Sequence, residues 1–143
     1  MGLFGSLFGD RKRANELAYL EKIADQLGVA FVNEMKSNPS LSPIIVTYEI
    51  KRALCLKPEF EYIKDYMYDT VSLNTIIRHT VTAMSEFGLD VLQPVNGVMD
   101  EEADRVIDAK LVRCGVPFEA INGTFPNSEF EKLEAWKSAH PIL

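Results

Sequence analysis

The stretch Asp10–Met35, DRKRANELAYLEKIADQLGVAFVNEM, decides the fold class. Leu17, Leu20, Ala24, Leu27, Phe31 and Met35 recur at steps of three and four residues, which keeps one apolar stripe on one side of a helix. Gly28 lies inside the pattern, where it bends or interrupts a helix at a cost of about 1 kcal/mol against alanine. The spacing imitates a coiled-coil seam for about two heptads and is then broken by Glu34, so ordinary bundle packing is expected.

Further helices follow downstream. Ser42-Pro43 suits a cap followed by proline in the first turn. The residues after it, Ile44 to Leu56, are apolar nearly all round, as in a central, buried helix. Residues 44–50 are β-branched enough to leave a strand open, but the helix formers from Glu49 to Lys57 favour helix. Pro58 can open another helix, with Phe60, Ile63 and Met67 inward. Leu73, Ile76, Ile77, Val81 and Met84 define the inward face of a helix from about Ser72 to Phe87, stopped by Gly88. Asp100 caps a helix that ends at Gly115, and Ser128 with Glu131 reads as a capping box for the last one. Between residues 89 and 126 a small β element is open, since Asn96-Gly97 marks a turn and Val116–Pro126 has no clear period. The expectation is an all-α bundle of about five or six helices, with residues 1–10 a flexible amphipathic segment and 11–143 one helical domain.

The 143 residues carry a net charge of −6 and 47% hydrophobic content, ordinary for a globular domain. The acidic balance argues against nucleic acid as a partner. Cys55 and Cys114 stand apart, with no CxxC and no histidine at ligand spacing, which fits buried thiols in a reducing compartment. No apolar run approaches the roughly 20 residues of a membrane-spanning helix. With no secretory leader read, the expected location is cytoplasmic, with membrane association through the N-terminus open.

Catalytic signatures are missing: no HExxH, Walker loop, GxSxG or dinucleotide fingerprint occurs. A nucleophilic cysteine is disfavoured because Cys55 falls on the most apolar helix and Cys114 beside a helix C-terminus. His79 falls on a polar helix side. Asp100, Asp104 and Asp108 recur at four-residue steps with Glu101 beside them. Spread over about 12 Å, they suit a solvated acidic face, partly balanced by a Glu101–Arg105 pair, better than one shared cation. Tyr62 and Tyr66, four residues apart on a helix flank, are a candidate partner surface or the edge of a core.

The opening residues, MGLFGSLFGDRKR, hold the clearest functional signal. Wound as a helix, Leu3, Phe4, Leu7 and Phe8 occupy one face about 140° wide, and Gly2, Gly5 and Gly9 fall opposite. Burying the four large side chains yields roughly 6–12 kcal/mol. Ordering the backbone costs about 1–2 kcal/mol per residue, so the segment alone binds weakly and is expected to be largely disordered in water. Arg11, Lys12 and Arg13 can add about 1 kcal/mol each near an anionic leaflet. Packing into a groove of the domain or of a second copy competes with that membrane contact. Myristoylation of Gly2, given Ser6, is a further reading.

The expected function is a non-enzymatic, acidic adaptor or regulatory protein that binds another protein, peripheral at a membrane through its N-terminus. A helical bundle holding a small apolar ligand in its core is the alternative. No cofactor or metal is expected, and self-association stays open.

Overall fold

The 35-residue helix α1 (Leu3–Ser37) is the spine of the molecule, about 52 Å long at 1.5 Å per residue. The computed structural model describes the backbone of residues 3–61, 70–85, 89–94, 96–98 and 100–141, and side chains from Gly9 onward. Helices α2 (Pro43–Cys55), α3 (Leu73–Met84), α4 (Glu101–Cys114), α5 (Phe118–Asn122) and α6 (Asn127–Ala139) complete an all-α fold. Short 3-10 turns at Pro58–Phe60 and Asp90–Leu92 lie between them.

Helix α1 does not begin near Asp10 but at Leu3, and residue 10 marks no break in secondary structure. Extending an existing helix avoids the nucleation cost that an isolated glycine-rich segment meets. Leu20, Ala24 and Phe31 of the stripe are fully or nearly fully buried, and so is Ile23 beside it. Gly28 does not interrupt α1, which is helical on both sides of it. It is buried where α1 crosses α4, and a Cβ there would lie 2.9 Å from Cys114 Sγ and 3.2 Å from Leu111 Cδ2. Missing side-chain volume at Gly28 is what allows the close approach.

Helices α1 and α4 run in the same direction and form the most extensive pairing of the fold. Arg13 meets Asp100 at the start of α4, Glu21 meets Lys110 and Arg113, and Asp25 meets Cys114 at its end. Asp100 caps α4 as expected, accepting the N–H groups of Glu102 (2.9 Å) and Ala103 (3.3 Å). Gly115 closes it in the left-handed region, φ +98°.

Residues 44–50 are helical. Ile44 to Tyr48 form the most buried part of α2; its last turns are mostly half-buried, and Leu56 beyond them is exposed. Ser42 stands at the cap position of α2, yet its side chain makes no capping bond. Helix α3 stops at Met84, earlier than its periodicity suggests. Met84, at the last position of the helix, is 54% exposed rather than inward. Ser72 Oγ accepts the Thr75 N–H and donates to the Ile121 carbonyl at 2.8 Å, fixing the start of α3 against α5.

No strand forms among the described residues; an isolated bridge residue, Val98, follows the Asn96-Gly97 turn. Both turn residues have positive φ, +52° and +78°, as that dipeptide favours. In place of a β element after Val116, Pro117 opens α5 and Gly123 ends it at φ +76°, with Ala120 and Ile121 buried. Helix α6 starts at Asn127 with Pro126 at the cap position, so Ser128 lies inside the helix and the expected capping box does not form. Trp136 of α6 donates from Nε1 to Glu49 Oε1 of α2 at 2.9 Å and stacks on His140 at 3.6 Å.

Candidate docking end at the start of α1

The first turns of α1 with described side chains are fastened to the segment Asp90–Glu102 by three consecutive sets of bonds. Glu16 lies four residues before Leu20, on the inward stripe, and is only 7% exposed. Its two carboxylate oxygens accept the backbone N–H groups of Asp90 (3.1 Å) and Val91 (3.2 Å), satisfying donors at the start of a 3-10 turn. Lys12 Nζ bonds Asp90 Oδ2 at 2.6 Å. Arg13 grips Asp100 with both Nη atoms, at 2.6 and 3.0 Å, and reaches Glu102 Oε2 at 2.8 Å. This is the paired-fork geometry that a guanidinium makes best with a carboxylate.

Protonation follows from the contacts. Hydrogen bonding to the guanidinium of Arg13 holds the Asp100 carboxyl below its usual range, helped by the backbone N–H of Ala103. The Asp90 carboxylate raises Lys12 in the same way. Beneath these pairs runs a groove of about 510 Å³, whose walls include Gly9, Glu16, Val91 and Val98. Gly9, Asp10 and Arg11 are exposed, and Arg11 makes no ion pair among the described residues. From Gly9 the backbone continues as helix to Leu3. On that helix, positions 3, 4, 7 and 8 share one face by register.

Of the basic triplet, Lys12 and Arg13 therefore face carboxylates of their own chain. The acidic row is also divided. Asp100 turns to α1, Asp104 lies 3.6 Å from Arg78 Nε, and Asp108 accepts from Asn74 Nδ2 at 2.6 Å. Arg78 in turn donates to Asn74 Oδ1 at 2.8 Å. Glu101 and Arg105 form no ion pair among the described residues. The charge is met instead by arginines from α1 and α3. Among the described residues no group of three potential ligands is placed to hold a metal ion. Tyr62 and Tyr66 lie outside the described residues.

The thiols are half-buried and unbonded to each other. Burial, and then the neighbouring Asp25 carboxylate, pushes the Cys114 thiol up, away from nucleophilic character. His79 is pushed down by burial and by Arg78. Sequence reasoning missed Glu16 and the reach of Arg13. Glu16 had a signal, since a carboxylate four residues before Leu20 falls on the buried stripe.

The fold is that of a small all-α protein with no helix, among the described residues, long and apolar enough to cross a membrane. No protein-family model matches the chain, and neither does any curated protein or solved structure.

Proposed function

We propose that the protein is a non-enzymatic adaptor or regulator that presents the start of α1 to another protein and touches a membrane peripherally through the same helix. The observation that carries this reading is one continuous helix, fastened to the body at Lys12, Arg13 and Glu16 and extending beyond Gly9 to Leu3. A fastened helix carries its outer turns in a fixed direction, which lowers the ordering cost of docking them. The exposed backbone at Gly9, where a Cβ would meet nothing within 4 Å, supports access from outside.

A photo-cross-linking residue placed at Phe8 of the full chain, in the cells that make it, tests the reading. One discrete protein adduct, lost when Leu7→Asp is added and absent from a control site at Lys132, is expected. Adducts of the chain with itself alone, or none above the control, would overturn it.

A further inference from the structure

We infer that the chain masks its own membrane-binding charges: Asp90, Asp100 and Glu102 occupy Lys12 and Arg13, and an anionic lipid surface must displace these carboxylates before the basic triplet can act on it. The inference rests on the reading of α1 as a docking helix and adds how that helix is restrained. Four bonds of 2.6 to 3.0 Å hold the two cations. Phosphate and carboxylate headgroups offer the same acceptor chemistry, so the internal acids compete with the lipid for the same donors. Arg11 is the one member of the triplet without an ion pair among the described residues, and Asp10 sits beside it.

Neutralising the masking groups without touching a helix cap separates masking from folding. Asp90 and Glu102 are exposed side chains whose backbone N–H bonds do not depend on their charge. Asp90→Asn frees Lys12, and Glu102→Gln frees one arm of Arg13. Each fully released cation adds about fivefold to affinity for an anionic leaflet, the equivalent of about 1 kcal/mol.

The experiment measures binding of the full chain to phosphatidylcholine vesicles with and without phosphatidylserine, at low salt. The D90N/E102Q variant, which releases Lys12 and leaves Arg13 still forked to Asp100, is expected to bind the phosphatidylserine vesicles about fivefold more tightly than wild type. A D10N/E101Q variant removes as much negative charge from the same end without freeing a partner, and is expected to gain much less. Adding Lys12→Gln and Arg13→Gln to D90N/E102Q should return binding to the wild-type level.

Equal gains from D10N/E101Q and D90N/E102Q would overturn masking in favour of simple net charge. Wild-type binding already as tight as that of D90N/E102Q would also overturn it. Binding to phosphatidylcholine alone and the Phe8 adduct report the docking helix itself. If both survive while the released variant gains nothing, masking alone has failed; if both are absent, the docking reading has failed with it.

Discussion

Substituting Gly28 by alanine sets two opposed energies at one position. In a helix interior the change contributes about 1 kcal/mol of stability through backbone entropy. Against this, the new methyl group would sit 2.9 Å from Cys114 Sγ, 3.0 Å from Cys114 Cβ and 3.2 Å from Leu111 Cδ2. Leu111 can turn its methyl aside, but Cys114 Cβ is fixed to the backbone of α4, so α1 and α4 must separate by some tenths of an ångström. Overpacking of this kind costs about 1–3 kcal/mol. The balance is a net loss of about 1 kcal/mol, or roughly 3–5 °C in melting temperature for a chain of this size. Urea unfolding followed by circular dichroism measures it. Cys114→Ala removes the sulfur but not the Cβ, so the double variant should recover part of the loss, giving a favourable coupling of about 0.5 kcal/mol or more. A Gly28→Ala protein stabilised by the full helix-propensity gain, with no coupling to position 114, would refute the close α1–α4 crossing.

Glu16→Gln replaces one acceptor by a donor facing a backbone N–H, and should cost about 1–3 kcal/mol, with faster amide exchange at Asp90 and Val91 than elsewhere in the core. Unchanged protection at those two amides would remove Glu16 as their acceptor. Asp100, whose carboxyl is held below its ordinary value of 3.8, contributes stability present above that value and lost as pH falls through its lower folded value. Asp100→Asn retains a capping oxygen but not the charge, so it should be less stable than wild type near neutrality and lose less of its stability below about pH 4. Cys114 should alkylate at mildly alkaline pH more slowly in the folded chain than in denaturant, by a factor larger than exposure alone explains. Equal rates would contradict the raised thiol.

What could be read in the sequence was what neighbouring residues decide among themselves. The stripe from Leu17 to Met35, the Asp100 cap and the Gly115 stop depend on spacings within a few turns, and each is present in the fold. Ser128–Glu131 satisfied the same local rule and failed, because Pro126 had already set an extended residue at the helix entrance two positions earlier. Val116–Pro126 lacked a period because five helical residues between Pro117 and Gly123 are too few to display one. The start of α1 was legible as composition, an apolar face followed by three cations, but not as chemistry. The carboxylates that meet Lys12 and Arg13 stand 78 and 87 residues further along the chain, and no local pattern foretells which cation they choose.

The pairing of α1 with α4 also orders events in time. Arg13 waits for Asp100, 87 positions further along the chain, and Asp25 for Cys114, 89 positions further. At a synthesis rate of about 5–20 residues per second, α1 spends roughly 4–17 s outside its final partnership while the rest of the chain is made. During that interval Lys12 and Arg13 have no Asp90 or Asp100 to face, and the stripe of Leu20, Ala24 and Phe31 has no α4 to pack against. A nascent α1 is therefore more cationic and more apolar in what it shows than the finished protein. Whatever α1 contacts in that interval, it contacts before the fold that pairs it with Asp90 and Asp100 exists.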